Sequence, residues 1–194
     1  MAAAAEILLV RHGETEWSLS GQHTSRTDLP LTDEGRRRAV ELAPALGGRS
    51  FGLVLCSPLL RARETCSAAG FGDSAVECDD LREWDYGDYE GLTSPEIWAS
   101  RPDWSLWRDG CPGGETPAEV GARADRVLAR LRAADGDAIA FAHGHIFRVV
   151  AARWISMPPA AGARLALDAG AIGVLGYERS TEVISSWNCT PPAP

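Results

Sequence analysis

Val10-Arg11-His12-Gly13-Glu14-Thr15 directly continues the apolar run Ile7-Leu8-Leu9-Val10. A second His-Gly step, His143-Gly144, directly follows another apolar run, Ala138-Ile139-Ala140-Phe141-Ala142. Short apolar runs of this kind read as buried strands. Each imidazole therefore leaves the end of a strand, and one of them has an arginine beside it. In an open α/β sheet the ends of the parallel strands form the edge where ligands bind. A ring nitrogen held among guanidinium groups suits phosphate esters, because planar paired N–H donors match phosphate oxygens.

Working outward, short apolar runs alternate with longer amphipathic ones, which predicts an α/β fold. Strands are expected near 6–11, 51–56, 75–78, 137–142, 170–177 and 182–187, and helices near 33–47, 58–69, 94–100, 117–134 and 144–155. Thr32 reads as the cap of the first helix. Ser57-Pro58 reads as an N-cap followed by proline at the first helical position, and Thr116-Pro117-Ala118-Glu119 as a capping box. The stretch from Asp79 to Thr116 is the least regular. The tail from Thr190 to Pro194 is expected to be disordered. There is no internal repeat and no low-complexity linker, so residues 1–194 read as one domain.

The chain has 194 residues, 45% of them hydrophobic, which is enough for one core. Its formal net charge of -8 argues against nucleic acid as a partner but not against a small anion, since a local arginine cluster attracts phosphate inside an acidic protein. All 19 lysine-or-arginine positions are arginine, which excludes Schiff-base and P-loop chemistry. The five cysteines are odd in number and form no C-x-x-C, so a reduced, cytoplasmic setting is expected, with Cys56 a small core residue. Met1 to Ala5 carries no basic region, and the apolar stretch runs straight into Arg11, so neither a signal peptide nor a membrane span is expected.

Four separated segments carry the chemistry: Arg11-His12-Gly13-Glu14-Thr15; Ser57-Pro58-Leu59-Leu60-Arg61-Ala62-Arg63-Glu64-Thr65; Leu81-Arg82-Glu83-Trp84-Asp85-Tyr86-Gly87, with Tyr89-Glu90-Gly91 behind it; and His143-Gly144-His145. In that order they resemble the histidine phosphatase superfamily, in its phosphoglycerate mutase-like branch. Glu83 to Gly87, and Pro102 through Glu115, look closest to small acid phosphatases and sedoheptulose-bisphosphatase-like members. The resemblance runs from Ile7 to about Trp187. It implies a three-layer α/β/α sandwich around a central, mostly parallel six-stranded sheet.

It also implies His12 as nucleophile, Arg11 and Arg61 as phosphate clamp, and His143, as a cation or hydrogen-bond donor, completing the ring of positive charge. Glu83 matches the family's proton donor. Histidine offers a deprotonated nitrogen near neutral pH, and the phosphohistidine it forms divides one hard displacement into two easier ones. A carboxyl can give the leaving alkoxide its proton and later take one from water. Gly13 would let the backbone turn tightly beneath the ring. Ser18, Thr24 and Ser25 fall where relatives place donors to phosphate, and Tyr86 matches a tyrosine that mutases aim at substrate. His145 carries no family role.

Other readings of the same residues stand beside these. His143-x-His145 could be a metal pair, but no H-E-x-x-H or H-x-H-x-D accompanies it, and no metal or cofactor is expected. The acidic run Asp79, Asp80, Glu83, Asp85, Asp88 and Glu90 reads as a solvated loop apart from Glu83. Trp98, Trp104 and Trp107 either wall a pocket or pack. Arg63 reads as a surface residue. The pocket wall is expected to draw on Trp17, His23, Arg26, Trp84, Tyr86 and 94–114. Hydrolysis of small phosphate monoesters with broad specificity is the favoured reading, on a sugar phosphate, a phosphoglycerate derivative or an aryl phosphate. A phosphoglycerate mutase is the first alternative, but family mutases carry a long basic insertion that the interval from Glu83 to His143 lacks. A non-catalytic phospho-ligand module is the second alternative. The sequence does not fix the oligomeric state, a homodimer being one option.

Overall fold

The computed structural model describes residues 5–46 and 48–190. Six strands, β1 (Ile7–Arg11), β2 (Leu53–Cys56), β3 (Val76–Glu77), β4 (Ala138–Ala142), β5 (Ile172–Glu178) and β6 (Thr181–Cys189), form one sheet in the spatial order β3-β2-β4-β1-β5-β6. β1, β2, β3 and β4 are parallel, whereas β5 runs antiparallel to both β1 and β6. Seven α-helices accompany them among the described residues: α1 (Glu16–Ser20), α2 (Asp33–Leu46), α3 (Leu60–Ala68), α4 (Ser94–Ser100), α5 (Leu106–Asp109), α6 (Pro117–Arg132) and α7 (Gly144–Trp154). All six expected strands are present, and so are the five expected helices. The short helices α1 and α5 are additions; α1 is closed by a capping box between Thr15 and Ser18.

The period-two rule divides the core into two layers. Leu9, Leu55, Ala138, Ala140 and Ala142 face one side, with Val120, Val127, Leu128 and Leu131 of α6 and Ile146, Phe147, Val150 and Trp154 of α7. Leu8, Val10, Val54, Cys56, Ile139 and Phe141 face the other, with Leu42 and Leu46 of α2 and Ala62 and Cys66 of α3. β4 presents only alanine to the first layer, which leaves room there for the bulky side chains of α6 and α7. Each large apolar side chain sealed this way contributes about 1.5–3 kcal/mol. The result is the expected three-layer sandwich.

Register then fixes where the chemistry lies. β4 is flanked by β1 and β2, with Arg11 opposite Ala142 and Cys56 opposite Phe141. The next residues on the three strands are His12, His143 and Ser57, so these share one edge with His143 in the middle. The backbone ladder runs into them, His12 N–H donating to Ala142 O at 2.9 Å and Ser57 N–H to Phe141 O at 2.9 Å.

Two local expectations are met and one is corrected. Thr32 accepts the Gly35 N–H at 3.0 Å, and Thr116 forms its capping box with Glu119. Ser57 is not an N-cap: α3 starts at Leu60, its cap is Leu59 with no side-chain bond, and the Ser57 hydroxyl turns to His143 instead. Residues 1–4, residue 47 and the tail 191–194 lie outside the described residues, and with them most of the expected disordered tail and the last residue expected in the first long helix. Cys56, Cys66, Cys78 and Cys111 are buried and Cys189 is exposed, all as free thiols. No described helix is long and apolar enough to cross a membrane.

Candidate active site

At the shared edge the two imidazoles meet with ring centroids 5.2 Å apart. His12 Nδ1 lies 2.7 Å from its neighbour's carbonyl, Gly13 O. A carbonyl oxygen only accepts, so Nδ1 carries the proton and Nε2 is left with its lone pair. Burial first, then the charges of Arg61 and Arg11, push His12 well below its ordinary 6.5 and keep it uncharged. His143 Nε2 is 2.8 Å from Ser57 Oγ, and both side chains are fully buried. Ser57 Oγ also accepts the Leu59 N–H at 3.4 Å, and among the described residues its own proton has no acceptor but His143 Nε2, so donating there satisfies the hydroxyl and leaves the imidazole N–H on Nδ1. Burial and then Arg61 push His143 well below its ordinary 6.5 as well, which favours the uncharged imidazole.

The arginines are gripped by backbone carbonyls rather than by acids. Arg61, at 1% exposure, donates to Thr27 O at 3.3 Å and Thr24 O at 3.1 Å, and Arg11 Nη1 donates to Leu167 O. A Cβ on Gly144 would stand 3.2 Å from Arg11 Cζ, so a glycine there lets the guanidinium lie against the start of α7. Among the described residues, four buried side-chain polar atoms have no hydrogen-bond partner: Arg11 Nε, Arg61 Nε, His143 Nδ1 and His23 Nε2. The first three belong to the groups around His12. Buried polar groups are normally paired, so three unpaired donors around one lone pair point to an anion as their partner.

Glu83 reaches this edge from a loop and is held by the N-terminus of α7. Its Oε1 accepts N–H from Trp84 and Ile146, each at 2.9 Å, and its Oε2 accepts N–H from His145 at 3.0 Å. A helix N-terminus offers such unpaired N–H groups to a carboxylate. Of four lone-pair positions on the carboxylate three are taken, and the one left is on Oε2. Arg11, His12, Glu83, Tyr86, His145 and Arg148 contribute to the wall of one cavity of about 250 Å³.

A family model, the histidine phosphatase superfamily (branch 1), matches residues 7–190. The chain belongs to the histidine phosphatase superfamily. It is 44% identical over 184 residues to an acid phosphatase of Mycobacterium tuberculosis, covering 92% of this chain and 90% of that protein. It is 38% identical over 182 residues to sedoheptulose 1,7-bisphosphatase of Saccharomyces cerevisiae, covering 77% and 67%. A solved structure of an open reading frame product from Mycobacterium tuberculosis superposes with a TM-score of 0.92 at 40% identity, covering 97% of this chain and 99% of that one.

The remaining residues of this histidine phosphatase sort by position. Ser18 and Thr24 line the cavity, although the Ser18 hydroxyl donates to Thr15 O and the Thr24 hydroxyl to Gln22 O. Ser25 is not part of this wall: it is buried, borders the neighbouring cavity, and its hydroxyl donates to Glu90 Oε2 at 2.6 Å. Glu90 also accepts the backbone N–H of Ser25 and Thr27, so this carboxylate shapes the loop whose carbonyls hold Arg61. Glu90 is therefore not the solvated acid its sequence context suggested. Tyr86 is buried, with its hydroxyl 2.6 Å from His145 Nδ1.

Trp17, His23 and Ser94 join the wall as expected of that region, but Trp84 is fully buried in the core. Arg26 turns away to Asp85 and a neighbouring cavity. Trp104 packs inside, Trp98 is exposed, and Trp107 lies against His145 and Arg148. Arg63 is exposed. Gly13 needs no unusual backbone angle. Its role is close approach, since a Cβ there would meet Gly35 O at 2.7 Å.

Proposed function

We propose that this chain is a phosphatase that hydrolyses small phosphate monoesters through a phosphohistidine on His12. The observation that carries the reading is the set of unpaired buried donors, Arg11 Nε, Arg61 Nε and His143 Nδ1, gathered around an uncharged imidazole. The two guanidinium groups and the His143 N–H take the three non-bridging oxygens, which places the phosphorus against His12 Nε2. Nε2 attacks, the P–N bond forms and the P–O bond to the alcohol breaks. The departing alkoxide takes a proton from Oε2 of Glu83, the one carboxyl position free to hold it. That carboxylate then accepts a proton from water as the water oxygen attacks phosphorus. The P–N bond breaks, and inorganic phosphate leaves with His12 restored. Charge on the transferring group is met by donors already in place, which is where most of the acceleration in such sites arises.

Phosphate release from p-nitrophenyl phosphate, together with phosphoryl label on position 12 after acid-free quenching, tests this reading. Turnover with no label on that ring would refute the covalent route. Conversion of 3-phosphoglycerate to 2-phosphoglycerate faster than phosphate release would make the chain a mutase.

A further inference from the structure

Two cysteines beside Ser57 are used by none of the chemistry above. Cys56, the last residue of β2, turns into the second core layer, where Ala62 and Cys66 of α3 pack one turn apart. Both are free thiols, at 4% and 1% exposure, and both line a cavity of about 160 Å³ with Ser57, Arg63 and Glu77. A water molecule takes about 30 Å³ of liquid, so this cavity has room for a small polar reagent. A side-chain hydrogen bond with Cys66, ahead of burial, is the first cause that pushes the Cys56 thiol up, so the two sulfurs face each other. Cys78 and Cys111 belong to the other core layer, and Cys189 is exposed.

The pair brackets part of the site. Between Cys56 and Cys66 stand Ser57, whose hydroxyl meets His143, and Arg61, whose unpaired Nε faces the phosphoryl position proposed above. The Cys56 thiol donates to Ser57 O at 3.3 Å, which ties the sulfur to the backbone of that serine. Thr65, next to Cys66, accepts the Gly13 N–H at 3.0 Å and donates to Arg61 O at 2.8 Å. A change at these sulfurs therefore reaches His143 through Ser57, and reaches Arg61 and the residue after His12 through α3.

We propose that Cys56 and Cys66 are a thiol modification site, joined reversibly as a disulfide by hydrogen peroxide, and that the bridge switches the enzyme off. One sulfur, as thiolate, attacks a peroxide oxygen; the O–O bond breaks, a sulfenic acid forms, and the hydroxide that leaves is protonated to water. The second thiol attacks the sulfenic sulfur; the S–S bond forms, the S–O bond breaks, and a second water leaves. Two thiols and one peroxide thus give one disulfide and two waters, the sulfurs losing the two electrons that the peroxide gains. A dithiol reverses the bond by exchange. A covalent S–S bond is shorter than a thiol contact, so closure draws the end of β2 and α3 together. It also removes the proton that Ser57 O accepts from Cys56. A misplacement of about 1 Å in such a site costs about 10²-fold in rate. In the reduced setting expected from the cysteine content, disulfides are of this transient, regulatory kind.

Hydrogen peroxide added to the whole protein, with catalase ending each exposure, tests this. Trypsin cuts after Arg61 and Arg63, so the two cysteines fall in different peptides that only a bridge can join. Mass spectrometry of the unreduced digest is expected to find that joined pair. The rate on p-nitrophenyl phosphate is expected to fall with the bridged fraction, the fully bridged protein being at least about tenfold slower. Dithiothreitol is expected to reverse both. Cys66→Ala, untreated, is expected to keep nearly the full rate, and under peroxide to hold it. The same variant is expected to lose the joined peptides, which separates Cys66 from Cys78 on one tryptic fragment.

Oxidation of the exposed Cys189 with no bridge between Cys56 and Cys66 would overturn the proposal, and so would a bridged protein that keeps its rate; neither measurement needs a variant. Inactivation of Cys66→Ala equal to that of the unaltered protein, or a loss that dithiothreitol does not reverse, would place the effect on other groups and overturn it too. The bridge is read by mass and does not depend on the phosphatase reading. Turnover of the reduced protein reports on that reading separately, so failure of one is not mistaken for failure of the other.

Discussion

Ser57→Ala removes a single hydroxyl whose one titratable hydrogen-bond partner among the described residues is His143, at 2.8 Å with both residues at 0% exposure. Two costs follow. The first is stability: a buried Nε2 left without its donor loses a hydrogen bond and the desolvation it offset, about 1–3 kcal/mol. The second is tautomer. With Ser57 in place the imidazole proton is confined to Nδ1, facing the phosphoryl oxygens; without it the proton is free to move to Nε2, and the donor is lost part of the time. Full loss of one preorganised donor costs about 10²–10³ in turnover. A partial loss places Ser57→Ala at about 10–100-fold in kcat/KM, and His143→Gln at the larger value.

The assay is p-nitrophenyl phosphate hydrolysis beside urea unfolding of the same preparations. Because Ser57 acts through His143, the double variant Ser57→Ala/His143→Gln is expected to be no slower than His143→Gln alone. Ser57→Thr, which keeps a hydroxyl, is expected to recover part of the rate. Losses that simply multiply in the double variant, or full activity in folded Ser57→Ala, would refute the reasoning that a strand-end serine sets the histidine tautomer.

Arg61→Ala is expected to fold and to lose about 10²–10³ in turnover, because its guanidinium is a preorganised donor; near-normal activity in the purified variant would take it out of the site. Glu83→Gln is expected to slow esters of poorly departing alcohols far more than nitrophenyl phosphate, since only the former need a proton on leaving; equal slowing would refute the proton-donor role. Stability is expected to fall as pH drops below about 6.5. His12, His143 and His145 are held well below that value by burial, so below it the unfolded chain binds protons that the native state does not. Each such histidine contributes a slope of about 1.4 kcal/mol per pH unit until its own folded value is reached. Urea midpoints from pH 7 to pH 5 measure this, and His145→Gln, folded or partly so, is expected to show a shallower slope by about one proton.

The sheet was legible because strand-end signals are local. An apolar run followed by His-Gly marks both β1 and β4, and period-two burial follows from the same residues. His12, His143, Arg11, Arg61 and Glu83 could be named because they stand in motifs with fixed order. Geometry that depends on two distant segments was not legible. Ser57-Pro58 has the local form of a helix start, and only the register of β2 beside β4 shows the hydroxyl opposite an imidazole 86 residues away. Glu90 stands among acids, and nothing nearby tells that it collects the N–H groups of Ser25 and Thr27.

The same edge reconciles two demands that ordinarily conflict. A phosphoryl group needs strong positive charge around it, but a histidine nucleophile must stay uncharged to attack. Here the cations are guanidinium groups, which do not lose their proton, and their field is one of the forces that keeps His12 and His143 neutral. The arginines thus act twice, once on the substrate oxygens and once on the protonation of the ring that attacks. Their own charge is balanced by carbonyls of Thr24, Thr27 and Leu167 rather than by carboxylates, which would have competed with the phosphoryl oxygens and restored the histidine charge. The one carboxylate admitted, Glu83, has its oxygens largely engaged by the N–H groups of α7 and Trp84, leaving a single position for the proton it must carry.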